Sequence, residues 1–355
     1  MPLIDDAHPL RSLSSIFISW KIFLFAIALG SGVGPAYDTS STLLLSPEQT
    51  THDESIFDLA TRLTRWDAIY YIQASRRGYL FEQEWAFASG LPTIVSFLTN
   101  VLVNFGIVGR HEILESTIAI FVANASHLLS ALVLYKLGLA VWKNSRISLV
   151  AAVLHVLSPG GLFLSAPYSE SSYALLSFTG YLFFAKATLG EKRTLAHGLG
   201  SELRPWCTRR LPSIYTFVQE HYWNVGFLRY WTPGNIPLFL LAGPMLYLLG
   251  KSGTAILFNP YLLTQETKST STSNSLATFI QSLALAQVIL TILAVTNYHI
   301  QIITRISSGY PLWYWWLANL LSDKKTAGTG KKFVMFMVMY AGIQGALFAS
   351  FLPPA

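Results

Sequence analysis

The 355 residues are 52% hydrophobic, 14% aromatic and only 12% charged, well below the charged fraction of about a quarter typical of soluble domains, which excludes an ordinary soluble globular protein. The formal net charge of +6 falls mostly in short segments between apolar runs, a distribution that fits anchoring at a membrane face better than binding of nucleic acid. Cys207 is the only cysteine, so neither an intrachain disulfide nor a cysteine metal cluster is possible.

Residues 15–34 are long and apolar enough to span as a helix, with Lys21 near the entrance where it can snorkel. The run lacks a small-residue cleavage site and is expected to stay as an anchor. Residues 35–85 form a large hydrophilic first loop, irregular from Tyr37 to Ser55 and then helical. Ile56, Leu59, Leu63, Trp66 and Tyr70 recur at three- and four-residue spacing and predict one interfacial helix. Seven further apolar runs follow, at 86–108, 116–142, 147–165, 172–189, 236–258, 276–296 and 333–352. Basic residues gather at Lys136, Lys143 and Arg146 and again at Lys186, Lys192 and Arg193, whereas the turn from Ser165 to Ser171 has none. Positive-inside counting puts 143–146 and 190–193 on the cytoplasmic side and Tyr168 to Ser171 opposite. The parity closes only if 86–108, which contains Pro92, Asn100 and Asn104, dips in and returns on the same side. Residues 191–235 read as a polar, aromatic loop carrying Arg204, Arg209, Arg210 and Arg229. Residues 268–275 and 323–332 read as flexible linkers. There is no internal repeat, and the sequon Asn124-Ala125-Ser126 falls inside an apolar run. The fold class expected is an all-α polytopic membrane protein, one multi-spanning domain.

The stretch from Leu63 to Phe87 stands out chemically. It packs Arg65, Arg76, Arg77, Asp67, Glu82 and Glu84 together with Trp66, Tyr70, Tyr71 and Tyr79 into a polar island between apolar runs, and Arg62 lies just before it. A carboxylate just outside the hydrocarbon, among aromatics and arginines, suits general-base work on a hydroxyl while cations hold an anionic leaving group. Asp67 fits that role best; pairing with Arg62, Arg65 or a neighbouring loop for structure alone is the competing reading. Glu82 and Glu84 serve either as sugar contacts or as a solvated edge. In the turn SAPYSES, Pro167 ends one helix, Ser169 or Ser171 caps the next, and Glu170 favours its N-terminus. An acid between membrane helices is also a functional candidate. Arg204, Arg209 and Arg210 suit a phosphate clamp or a topology signal. His299, Gln301 and Arg305 follow a membrane helix, and Trp313, Tyr314, Trp315 and Trp316 read as an interfacial aromatic belt. No zinc spacing, phosphate-cradling glycine loop or Ser-His-Asp order is present, so no metal or nucleotide cofactor is expected.

Four segments in order resemble the PIG-V family of mannosyltransferases: RWDAIYYIQASRRGYLFEQEWAFASGLP (65–92), LSPGGLFLSAPYSESSYALLSF (157–178), RPWCTRRLPSIYTFVQEHYWNVGFLRYW (204–231) and NYHIQIITRISSGYPLWYWW (297–316). The resemblance implies a GT-C-like bundle in the endoplasmic reticulum with a large lumenal first loop. It implies transfer of the second mannose, in α-1,6 linkage, from dolichyl-phosphate mannose to the glycosylphosphatidylinositol (GPI) precursor, with a small accessory membrane subunit as a plausible partner. A β-linked donor and an α-linked product call for one inverting displacement. The family's tryptophan-aspartate pair falls on Trp66 and Asp67, which makes Asp67 the base. The remaining substrate contacts expected are Arg65, Trp66, Tyr79, Glu82, Glu84, Tyr168, Glu170, Arg204, Arg209, Arg210, His299, Gln301 and Arg305. Two departures accompany the likeness. Ala86-Phe87-Ala88-Ser89 stands where members read Ala-Phe-Phe-Pro, and the further membrane segments that members carry between the equivalents of Leu195 and Leu203 are missing, so the chain is expected to be shortened there. The alternative is a non-catalytic or inactive shortened subunit of GPI-anchor assembly.

Overall fold

The computed structural model describes residues 7–33, 37–38, 40–45, 54–111, 113–189, 226–262 and 271–352. Its elements are α1 (Pro9–Gly30), α2 (Ser40–Leu45), α3 (Glu54–Leu63), α4 (Ala68–Arg77), α5 (Gly90–Asn104), α6 (Leu114–Trp142), α7 (Ser145–Val156), α8 (Glu170–Leu189), α9 (Ile236–Phe258), α10 (Ser271–Thr296), α11 (Ile303–Ile306), α12 (Leu312–Ser322) and α13 (Ala327–Ala349). There is no strand among the described residues. The segments built on α1, α6, α9, α10 and α13 are long and apolar enough to cross a membrane. The chain is an all-α polytopic membrane protein.

Apolar length alone overstates the crossings. The run 86–108 yields the 15-residue α5, about 22 Å at 1.5 Å per residue, against a hydrocarbon core of about 30 Å. It packs against α4 and α6. The run 147–165 yields only the 12-residue α7, because Ser158-Pro159-Gly160-Gly161 ends the helix. Gly161 has φ +46°, and a Cβ there would lie 2.9 Å from Ala341 on α13. The chain then stays buried through a short 3₁₀ helix, Gly161–Leu164, and the turn up to Tyr168.

The helix ends define two ends of the bundle. The last turns of α1, α10 and α13 meet the first turns of α6, α8 and α9 at one end. There Tyr37 N donates to Ser350 O at 3.1 Å and Leu228 N to Thr296 O at 2.6 Å. Basic residues collect at the far end, with Lys143 and Arg146 between α6 and α7, Lys186 late in α8, and Lys324, Lys325, Lys331 and Lys332 around the start of α13. Leu189 finishes α8 at this far end, while residue 226 resumes beside the last turn of α10 at the other.

Three expectations need correction. The helix expected across Ile56 to Tyr70 is two helices, α3 and α4, broken at 64–67. The aromatic belt is a core: Trp313, Tyr314 and Trp315 are 0% exposed, with Trp313 Nε1 donating to Ser307 O at 3.0 Å and Trp315 meeting Trp142 edge-on. Aromatic side chains with a polar tip serve either role, and here the tip finds a backbone partner inside. Residues 327–332 and 271–275, inside the stretches expected as linkers, are the first turns of α13 and α10.

Candidate active site

Local backbone geometry presents Asp67. The α3–α4 corner is held from beneath by Ser41, whose hydroxyl donates to Thr64 O, and by contact between the Thr64 and Ser116 hydroxyls. Trp66 then takes φ +54°, a left-handed conformation that a bulky residue adopts only when its surroundings impose it. Its indole lies against Phe351, ring centroids 5.1 Å apart, and faces the core. Asp67 is the N-cap of α4, yet its side chain makes no capping bond. The carboxylate is therefore left to the recess instead of being spent on its own helix.

Arg305 faces it from α11. Nη2 lies 3.8 Å from Asp67 Oδ2 and Nε 3.4 Å from Glu170 Oε1, so one guanidinium bridges two carboxylates from distant parts of the chain. The guanidinium carbon sits 4.7 Å from the Phe163 ring centre and 5.2 Å from that of Tyr168, which fixes its plane. Tyr168 in turn donates from its hydroxyl to Arg65 O at 3.2 Å, locking the buried loop to the α3–α4 corner. Tyr71, one turn beyond Asp67, has its hydroxyl 3.0 Å from Ser169 Oγ. Phe87 stacks on Tyr70 at 4.7 Å and meets Tyr71 edge-on.

The electrostatics oppose one another at Asp67. Surrounding protein raises its carboxyl above the ordinary range, while the charges of Arg305 and His299 pull it back down. The side chain is still 41% exposed, so the acid lines an opening. Burial lowers His299, with Asp67 acting in the other direction. Burial also disfavours the Arg305 charge, but Glu170, Tyr168 and Asp67 outweigh it and hold the guanidinium protonated. Burial pushes the Tyr71 and Tyr168 hydroxyls up. An exposed carboxylate beside a fixed cation and a second acid can accept a proton from a hydroxyl while an anion is held nearby.

The structure brings Asp67, Glu170, Arg305, Tyr168 and His299 together. Gln301 stands one step back: it accepts from Tyr230 at 2.8 Å, and Tyr230 packs edge-on against His299. Arg65 contributes its backbone carbonyl; its guanidinium stacks 4.9 Å over Phe351. Arg62 pairs with Asp58 at 2.8 Å and Arg65 lies over Phe351, so the cation beside Asp67 is Arg305, from the short helix α11 of another loop. Tyr79 stacks on Trp85 and donates to Ala88 O, outside the recess. Glu84 is buried against Arg77 at 2.5 Å and accepts from the N–H groups of Leu80 and Phe81, so its carboxylate is occupied by its own loop. Glu82 is exposed. Arg204, Arg209 and Arg210 lie outside the described residues. Sequence reasoning missed Phe163, Phe87 and Tyr230 as parts of the wall; only their aromatic character next to the chosen motifs hinted at it.

Residues 21–191 and 181–355 match the family model described as Mannosyltransferase (PIG-V). Among related proteins, GPI mannosyltransferase 2 of Chaetomium globosum is 45% identical over 98% of this chain and 97% of its own. GPI mannosyltransferase 2 of Gibberella zeae is 40% identical over the whole of both. GPI alpha-1,6-mannosyltransferase 2 of Rattus norvegicus is 26% identical over 92% of this chain and 86% of its own. The Chaetomium alignment runs over 459 positions against 355 residues here. Internal positions of that relative therefore have no counterpart in this chain. The two family matches meet at 181–191. No solved structure matches the chain significantly.

Proposed function

The chain belongs to the PIG-V mannosyltransferase family, a family of glycosyltransferases, and from that premise we propose that it adds the second mannose, α-1,6-linked, to the GPI precursor in the lumen of the endoplasmic reticulum. The donor is dolichyl-phosphate mannose. Asp67 accepts the proton of the acceptor hydroxyl as its oxygen bonds to the anomeric carbon, and the bond from that carbon to the phosphate oxygen breaks, leaving dolichyl phosphate. A single displacement turns the β-linked donor into an α-linked product. Glu170 and His299 contact sugar or acceptor hydroxyls, and Arg305 holds Asp67 ionised and faces the developing negative charge. The basic far end is cytoplasmic, and the end with Asp67 is lumenal; α5, too short to cross, keeps the parity.

The observation that supports this most is the Asp67–Arg305–Glu170 bridge at an opening. The test is expression in cells lacking the second GPI mannosyltransferase. The unmodified chain restores GPI-anchored protein at the surface and Asp67→Ala does not; equal restoration by both removes Asp67 from the chemistry.

One set of observations favours a second reading, a shortened subunit without activity. The relatives' extra positions are missing here, and the residues flanking 190–225 lie at opposite ends of the bundle. Sequencing the transcript across Leu195 to Leu203 decides it: a longer frame with an added apolar segment favours the enzyme, and the same short frame with no complementation favours the subunit.

A further inference from the structure

Residues 78–88 form a compact turn between α4 and α5 that no reaction step uses. It contains a short 3₁₀ helix, Glu82–Phe87, and presents Leu80, Phe81 and Trp85 at 65%, 58% and 52% exposure. Three large apolar side chains open to the surface within six residues are unusual for a loop in water. Several of the loop's polar groups turn inward, while Glu82 stays exposed between Phe81 and Trp85. Glu84 turns inward to take two N–H Oε contacts from Arg77 and the backbone N–H groups of Leu80 and Phe81. Arg77 also donates to Gly78 O, and Tyr79 donates to Ala88 O at 2.9 Å. The Tyr79–Trp85 stack at 4.6 Å and the Arg77 guanidinium 5.4 Å over the Phe81 ring stiffen the turn. Non-helical backbone can approach hydrocarbon only if its polar groups are satisfied within the protein, and this loop satisfies several of them with its own side chains.

We propose that residues 78–88 are a wedge inserted into the lipid leaflet on the Asp67 side, with Leu80, Phe81 and Trp85 as its anchors. The apolar surface continues into α5, where Ile94 and Phe97 are exposed; that continuity with an apolar helix too short to cross points to lipid as the occupant. Trp85 is of the type that settles at the headgroup level, the Arg77–Glu84 pair is neutral, and the exposed Glu82 fits the polar headgroup layer beside it. At its other end the wedge is tied through Phe87 to Tyr70 and Tyr71, the residues one turn from Asp67. Insertion therefore sets the opening of the recess at the bilayer surface, where a lipid-linked substrate arrives sideways without leaving the leaflet. This inference rests on the membrane placement of the chain and not on the identity of the sugar transferred.

The test uses the full chain in phosphatidylcholine bilayers with Cys207→Ser, which removes the only native cysteine, and a single spin-labelled cysteine at Leu80, Phe81 or Trp85. Labels at Ile292, exposed on α10, and at Lys324, in the charged turn before α13, serve as lipid and water references. The wedge predicts collision with oxygen over a water-soluble nickel complex in the ratio seen at Ile292. A ratio like that at Lys324 overturns it. An immobilised label shielded from both reagents also overturns it, because a protein surface then covers the loop. Mannosyl transfer is not part of this readout, so an inactive chain still tests the wedge.

Discussion

Two clusters of ionisable side chains lie inside this membrane protein, and they are built on opposite plans. Around Asp67, charges of both signs converge on an opening: two carboxylates share Arg305, and Asp67 remains partly exposed. Midway down the bundle, Lys21 donates to Ser165 Oγ at 2.7 Å, Ser130 Oγ lies 2.7 Å from His155 Nε2, and His155 Nδ1 lies 3.1 Å from Tyr314 OH. All of these groups are buried, and among the described residues no carboxylate pairs with Lys21. An intramembrane ionisable residue is a functional candidate by default. Here its bonds to hydroxyls tie α1 to the loop before α8, and α6 and α7 to α12. The contrast teaches that accessibility and opposite charge, not burial of polar groups as such, set the proposed site apart.

Beyond Asp67 itself, the largest effect is expected at Arg305. Arg305→Gln leaves two carboxylates side by side without their cation, and transfer in microsomes falls by about 10² to 10³-fold, the scale of losing one fixed electrostatic donor. Arg305→Lys recovers only part, since an ammonium cannot span both acids. Retention of full transfer by Arg305→Gln breaks the contrast.

The pH dependence sharpens it. A general base works ionised, so transfer falls as pH drops through the Asp67 pKa. Burial raises that pKa above its ordinary value, about 4 for aspartate, so the acid limb lies above the usual carboxylate range. Arg305 pulls it down, so Arg305→Gln moves the limb to higher pH in the residual activity. An unmoved limb assigns the titration to another group.

Lys21→Met probes the other cluster. It leaves the buried Ser165 hydroxyl without its Lys21 donor, while Leu164 O keeps its bond from Ser171 Oγ, a cost of about 1–3 kcal/mol. A lower Tm with unchanged transfer per folded molecule is expected. Lost transfer at unchanged Tm would bring Lys21 into the chemistry.

The smallest effect concerns Glu84. Burial raises its carboxyl, but the Arg77 hydrogen bond and the two backbone N–H bonds outweigh burial and hold it below the ordinary range. A carboxylate with a depressed folded pKa adds stability above its unfolded pKa that is lost as pH falls through the folded one. Protection factors in residues 78–88, with the intrinsic pH dependence of exchange divided out, should therefore fall at acid pH, and Glu84→Gln should remove that fall. Equal acid sensitivity in both forms assigns it elsewhere.

Much of this was legible in the sequence. The all-α membrane fold follows from the apolar runs, Asp67 stood out as an acid in a polar island of a lipid-soluble chain, and Pro167 and Glu170 marked a turn between membrane helices. What stayed hidden was set by tertiary packing. The apolar repeat runs on through Leu63, Trp66 and Tyr70 across a break that only the left-handed Trp66 reveals. The Arg305 bridge joins residues far apart in sequence, which no local pattern encodes. Glu82 and Glu84 alternate identically on paper, yet one is exposed and the other is enclosed by Arg77. Trp313 to Trp316 satisfy belt and core equally by composition, and the donor bond of Trp313 decides for the core.

The most direct measurement compares Asp67→Asn with Lys21→Met, each expressed to equal folded levels in microsomes lacking the second GPI mannosyltransferase, by following mannose onto the GPI precursor from dolichyl-phosphate mannose. Asp67→Asn keeps the shape of the side chain and removes the base; transfer should fall by about 10² to 10⁴-fold, while Lys21→Met transfers at the unmodified rate per folded molecule. Undiminished transfer by Asp67→Asn would contradict the account.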